Sequence, residues 1–590
     1  MAIAVTGSGT LPRDDVRKVN LLVLCGLALI VGVMTGVGAV ALRWLIGFFH
    51  NAFYNGTFSI WYDANISEGP SRFGNWVWLS PVLGGLVVVF LVERFAPEAK
   101  GHGVPEVMDA VFYKRGNIRG LVAVIKSLAS ALSIGSGAAV GREGPIIQIG
   151  AALGSAFSQA IGLSTGQKIT LLAAGAGAGI AATFNTPLGG VLFALEILLP
   201  EVSNRTFLPV VIATGAATSL GRSVLGPAPA FSVPEIRFPP PETFGLEGAI
   251  AFLALGILCG LASWAFIRLL VVMEDGFPKL PGNAYTQNAL GMAIIGLMMV
   301  VLTHAFGHPY VDGVGYSVIQ SILDKNMTSA GLLALLFALK LLATTISLGC
   351  GASGGIFSPS LYLGATLGAA FATLASPLLP HSGLTLPSAA IVGMAAMVGA
   401  GTGGVMTAIV MIFEMTRDYT IIVPLMISNL IAFFISYRLQ HEPIYEALAY
   451  QDGVHLPTSE ARTQLLRLRV SDAMSAPGET FPPETPIAEA LKHVRPVVVA
   501  DEQGLWGVVD PANLILESGT LADLFNGMPD GNMPHLHTDH SLAIALDRMG
   551  SSKLRVLPVV SRANVRQLVG LVTLEAVLNA YGFSLPAGKG

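Results

Sequence analysis

The 590-residue chain is 53% hydrophobic and only 12% charged, with a mean hydropathy of +0.66. A water-soluble domain carries roughly 25% charged residues, so most of this chain is built for lipid. A net charge of −4 argues against a nucleic-acid partner, and the three cysteines (Cys25, Cys259, Cys350) lie far apart in or beside apolar runs, which leaves them as packing residues rather than a disulfide or zinc framework.

The first predicted membrane helix covers 20–49. It is longer than the roughly 7–15 residues of a signal-peptide core and no small-residue cleavage site closes it, so it is expected to stay as a membrane helix. Arg13, Arg17 and Lys18 just before it favour a cytoplasmic N-terminal tail over 1–19. Spans of crossing length recur at 75–95, 166–182, 205–225, 245–273, 288–306, 330–348, 386–413 and 421–438. Between them, shorter apolar pieces opened by glycine and proline fall at 103–113, 143–161, 186–200 and 354–374. Broken helices of this kind are how transporters place backbone polar groups at membrane depth. After about Leu456, charge, proline and short Val-rich runs take over, and a soluble cytosolic α/β domain is predicted over 458–590.

The membrane part repeats itself. "PIIQIGAALGSAF" (145–157) matches "PSLYLGATLGAAF" (359–371) at Pro, Gly, Ala, Leu, Gly, Ala and Phe, and each is followed by a Gly-rich segment ending in a lone glutamate, Glu196 in "LFALEI" and Glu414 in "MIFEMT". Two related halves, about 75–200 and 288–438, are expected, with the functional site where half-helix starts meet. Glu196 and Glu414, matched across the repeats, are read as helix-packing or capping groups. "GHGVPE", "GREGP" and "GGIFSP" each put glycines before a helix start, where unobstructed N–H groups and the positive end of the helix dipole make a cradle for an anion. Within one of them stands Glu143, a carboxylate at membrane depth, which marks function by default.

Those segments, with "PIYEALA" at 443–449, resemble in order and spacing the four signature segments of the CLC chloride channels and chloride/proton antiporters, over about residues 20–450. The end of the chain is similar to the paired CBS domains that many members carry. The resemblance implies an α-helical, multi-pass, inverted-repeat membrane fold with a cytosolic CBS pair, embedded in lipid as a homodimer with one pore per subunit. It also implies that Glu143 is the external gating glutamate, whose carboxylate competes with anions and leaves when protonated. The amides of Ile356 and Phe357 and the hydroxyl of Tyr445 would line a central chloride site, with His102, Gly103, Arg142, Gly144 and Gly355 as the remaining anion-binding positions. Bound chloride is the only ligand implied; no cofactor or metal is.

Two departures bear on mechanism. His102 replaces the serine usual in the first signature; its imidazole either touches the anion, gaining charge near pH 6–7, or turns away to a backbone partner. Ile197 stands where antiporters commonly carry an internal proton-transfer glutamate, with Glu196 as the possible substitute. The expectation is therefore a passive or weakly proton-coupled chloride pathway, with obligate chloride/proton antiport as the alternative.

In the tail, "TPIAEALKHV" with "RPVVVADEQGLWGVVDPANLI" is echoed by "HSLAIALDRM" with "LPVVSRANVRQLVGLVTLEAVL". The places where such modules usually carry a ribose-binding carboxylate hold Asn513, after Asp510, and Ala576, after Thr573. A structural, dimer-stabilising tail is expected rather than a nucleotide sensor. "GASGG" and "GAGTGG" lack the strand–turn–helix context of a hydrolase elbow or dinucleotide loop, and "HEPIY" lacks the second histidine of a zinc protease, so no enzyme is expected. A CBS-linked divalent-cation transporter would need clustered oxygen ligands, where this chain offers isolated carboxylates. A multi-pass protein of a bacterial inner membrane is the predicted setting.

Overall fold

The computed structural model describes residues 18–66, 69–200, 202–228, 231–233, 245–451, 453–454, 456, 468–477, 480–490, 492, 497–502, 504–509, 519–525, 533–552 and 554–581. Two compact units emerge, Met1–Leu456 and Pro457–Gly590.

The first unit is helical. Its helices are α1 Leu21–His50, α2 Leu79–Phe95, α3 Val104–Phe112, α4 Gly120–Ser136, α5 Glu143–Ala160, α6 Thr165–Phe184, α7 Pro187–Phe193, α8 Asn204–Leu225, α9 Leu246–Gly276, α10 Ala284–Phe306, α11 Tyr316–Leu323, α12 Ala330–Gly349, α13 Phe357–Ala375, α14 Leu386–Thr402, α15 Val405–Thr416, α16 Ile422–Leu439 and α17 Ile444–Gln451. Among the described residues, seven segments are long and apolar enough to cross a membrane. α6 and α14 are buried along most of their lengths and lie in the middle of the unit.

The span expected over 386–413 is two helices. Gly403 adopts a left-handed φ of 75°, which only glycine does at little cost, and turns the chain from α14 into α15. α4 has no counterpart among the predicted spans, because Lys126 and the serines at 127, 130, 133 and 136 dilute its apolar signal. Lys126 is nonetheless fully buried, its Nζ donating to the carbonyls of Ala99 (3.1 Å) and Gly101 (2.7 Å) just before α3. A buried ammonium needs such partners.

The second half of the unit repeats this device. Lys340 on α12 donates to the carbonyls of Val311 (2.7 Å) and Gly313 (2.8 Å) just before α11. Two further features pair off. α5 crosses α6 at Gly150 and Gly175, and α13 crosses α14 at Gly364 and Gly393; at all four glycines a Cβ would overlap the carbonyl oxygen of the opposing glycine. Glu196, on the π-helical turn Ala194–Leu198 after α7, accepts from the amides of Met406 (3.1 Å) and Thr407 (2.7 Å) at the start of α15. Glu414 on α15 accepts in return from the amides of Leu188 (3.1 Å) and Gly189 (2.8 Å) at the start of α7. The two glutamates are thus reciprocal caps, each satisfying orphan amides of the other half.

In the second unit β1 Thr480–Phe481 runs parallel to β2 Val497–Asp501, and β3 Gly504–Val509 pairs antiparallel to β2. β4 Val556–Val560 pairs antiparallel to β5 Leu568–Thr573, with the helices α18 Val470–Ala473, α19 Ile487–Ala490, α20 Leu542–Ser552 and α21 Leu574–Ala580. Val498 and Leu505 from the first sheet pack with Val556, Val560 and Leu571 from the second in one apolar cluster. The Thr573 hydroxyl accepts from the Ala576 amide (3.0 Å) and so caps α21. Asp510 and Asn513 lie outside the described residues.

Candidate functional site

Four helix starts converge inside the first unit. Gly141 and Gly355 exchange backbone hydrogen bonds, N–H to O at 2.7 Å in both directions, and so tie the residues leading into α5 and α13 side by side. The approach leaves no room for side chains, since a Cβ on Gly355 would lie 2.6 Å from the Gly144 amide nitrogen. Before α3, Gly103 takes a φ of 90°, and the His102 carbonyl rests directly against Gly144. Before α11, Gly315 takes a φ of 76° and places Tyr316 as the first helical residue.

Glu143 opens α5 and is completely buried. One carboxylate oxygen accepts from the Tyr316 hydroxyl, and the other accepts from the Ser358 amide at 3.2 Å, in the first turn of α13. The Tyr316 and Ser358 hydroxyls are themselves 2.9 Å apart. The carboxylate therefore lies where N–H and O–H donors and the positive end of the α13 dipole would receive a small anion. Ile356 and Phe357, both buried, head α13 immediately before that Ser358 amide. Tyr445, in the first turn of α17, is buried and within electrostatic reach of Glu143.

Arg142 does not lock the gate position. Its Nε is 3.9 Å from the Glu143 carboxylate, beyond hydrogen-bond range, and its guanidinium lies over the Tyr316 ring at 5.1 Å from the centroid. The two form a long ion pair with no direct hydrogen bond. Arg142 instead faces a cavity of about 230 Å³ that Arg43, Asp63, Asn185, Arg222 and Tyr316 also line. Three guanidinium groups against one carboxylate make this an electropositive vestibule above the cradle.

His102 takes neither of its expected places. Its Nε2 lies 2.6 Å from the Glu274 carboxylate on α9, so the ring is turned to a side chain rather than to backbone. Ile197 is buried, its Cδ1 against Gly404. Glu196 next to it has both oxygens engaged in capping α15.

Tyr316, Ser358 and Glu274 were not singled out by sequence motifs. The place of the first emerges only when the two folded halves are matched. If the carbonyls bound by Lys126 and Lys340 are aligned, Gly103 matches Gly315, both left-handed, and Tyr316 falls at the start of α11 as Val104 does at the start of α3. Ser358 stands within the "GGIFSP" segment but acts through its amide, which every residue except proline possesses. Glu274 carries no local motif.

Fold and site define a class: a multi-pass helical membrane protein in which broken helices from two halves converge on a buried carboxylate. Residues 84–437 match the family described as Voltage gated chloride channel, and residues 526–582 match the CBS domain. The "H(+)/Cl(-) exchange transporter ClcA" of Vibrio cholerae is 35% identical over 61% of this chain and 76% of its own length, and that of Salmonella gallinarum is 31% identical over 76% and 94%. Among solved structures, a slow cyanobacterial Cl-/H+ antiporter is 27% identical and covers 74% of this chain and 99% of its own, with a TM-score of 0.64. A eukaryotic CLC transporter shares the fold over 94% of this chain and 98% of its own, at a TM-score of 0.60 and 20% identity. The chain belongs to the CLC family of chloride-transporting membrane proteins and carries a CBS domain at its C-terminal end.

Proposed function

We propose that this protein exchanges chloride for protons through one pathway per subunit of a homodimer, with Glu143 as the outer gate. The observation that carries the reading is the seat of the Glu143 carboxylate, fully buried on donors from α11 and α13. It is an anion tethered in an anion's place: chloride can enter only when the carboxylate withdraws, and a proton is what neutralises it. One group then handles both ions in turn, and the exchangers among the relatives favour coupling over a passive pathway.

The remaining roles follow from position. Amides of Ile356 and Phe357 with the Tyr445 hydroxyl form the central chloride site, bounded by Gly103, Gly144 and Gly355, while Arg142 attracts anions in the vestibule. Amide donors bind chloride without a full opposing charge, which keeps release fast. The repeats span about 75–200 and 288–438, the N-terminal tail and CBS pair face the cytoplasm of a bacterial inner membrane, and bound chloride is the only ligand. The CBS pair is structural: Thr573 caps its helix and Ala576 offers no carboxylate.

A passive pathway is the second reading, favoured by one observation, the buried Ile197 where an inner carboxylate is expected. Liposomes holding the protein, loaded with chloride and clamped with a potassium ionophore, separate the two. Exchange predicts proton uptake at a fixed ratio to chloride release; chloride release with a static pH supports the passive pathway.

A further inference from the structure

A proton that leaves Glu143 inward still needs a titratable relay, because an apolar wall conducts no protons. We infer that His102 and Glu274 form the inner proton relay of this protein, in place of the carboxylate absent at Ile197. The inference rests on the exchange reading and deepens it.

Position supports the pair first. The His102 carbonyl touches Gly144, the neighbour of Glu143, so the histidine lies one backbone contact from the gate. α3, which His102 and Gly103 introduce, also packs against the π-helical turn that carries Ile197. The helix that His102 introduces thus touches the element whose missing carboxylate the pair would replace.

α9 has 31 residues, about 46 Å at 1.5 Å per residue, and carries Glu274 near its end. Less than one turn earlier on α9 the Val271 carbonyl accepts from the side chain of Gln451, the last residue of α17.

Chemistry completes it. Nε2 of His102 is committed to Glu274 at 2.6 Å, while Nδ1 is buried without a hydrogen-bond partner. One ring nitrogen thus faces a carboxylate and the other is open to a proton. The His102 side chain is 6% exposed and that of Glu274 is 23%, so the carboxylate is the member that meets solvent. A proton added at Nδ1 makes an imidazolium; loss of the Nε2 proton to Glu274 restores a neutral ring, and the carboxylic acid returns its proton to water. One proton enters and one leaves, and the ring, left with its proton on Nδ1, turns over about its Cβ–Cγ bond to present that N–H to Glu274 before the next proton arrives. Charged groups on the neighbouring elements include Arg142 and Glu143 at the start of α5, Lys126 on α4, Glu106 and Asp109 on α3 and Glu446 on α17, with Arg268 and Asp275 on α9 itself. Lys126 is held by the Ala99 and Gly101 carbonyls and Asp109 is paired with Lys114.

The test is the number of protons moved per chloride by full-length protein in voltage-clamped liposomes, for the natural chain, His102→Ser, Glu274→Gln, and His102→Ser combined with Ile197→Glu. The relay predicts that each single variant lowers the ratio at least about tenfold while chloride release continues, and that Ile197→Glu restores proton movement to His102→Ser. An unchanged ratio in both single variants overturns the relay and leaves exchange standing. A natural chain that moves no protons overturns exchange and the relay together. Loss of chloride and proton movement alike in both single variants makes the pair a packing bond between the α3 start and α9, and also overturns it.

Discussion

At the scale of single residues, the gate is a balance among three groups, Glu143, Tyr316 and Ser358. The buried Tyr316 hydroxyl donates to the carboxylate. A hydrogen bond to a charged group is worth about 1.5–3 kcal/mol, so Tyr316→Phe weakens the seated state by roughly tenfold or more. Chloride flux through Tyr316→Phe is expected to rise near neutral pH and its acid activation to move to higher pH, measured by chloride efflux from liposomes across a pH series. A flux no faster than that of the natural chain sinks the assignment of Tyr316 as the latch. Glu143 was legible because a carboxylate between glycines in an apolar run is too costly to bury for packing alone. Tyr316 was not, because it lies between predicted spans and outside the four signature segments, and its meaning arises only when α11 is folded back onto α5 and α13. The His102 ring shows the same limit: the substitution was visible, but its partner Glu274 is 172 residues away.

Among the elements, symmetry organises the packing. The buried lysines, the glycine crossings and the reciprocal glutamate caps each occur once per half. The repeat and the capping roles of Glu196 and Glu414 could be read from matched motifs. The end of α14 could not, since a continuous apolar run does not reveal that Gly403 turns it. The crossings carry a testable cost. A methyl group at Gly364 would overlap the Gly393 carbonyl, backbone that cannot swing aside, whereas one at Gly26 on α1 meets nothing within 4 Å. Overpacking of this kind costs about 1–3 kcal/mol or more. Gly364→Ala is expected to lower the melting temperature of the detergent-solubilised protein, and Gly26→Ala to leave it level or slightly raised, since alanine is the better helix former. Equal melting temperatures for the two variants would contradict the close crossing.

For the whole molecule, the two halves do together what neither does alone. α5 supplies the carboxylate, α11 and α13 supply its donors, and the vestibule draws on α1, α6 and α8. The fold class was legible from hydropathy, the repeat and four glycine-rich segments, because all three are written locally in the chain. Which carboxylate rests on which amide was not, because that depends on halves 214 residues apart closing on each other, as the match of Glu143 to Phe357 at the two helix starts shows. The central claim is that the Glu143 carboxylate occupies the anion's place and yields it on protonation. Its most direct test is the pH profile of chloride efflux from liposomes for Glu143→Gln against the natural chain. Glutamine keeps the shape and cannot ionise, so efflux should be faster near neutral pH and flat across the acid range in which the natural chain accelerates. A Glu143→Gln profile that still climbs with acid as the natural one does would contradict the account.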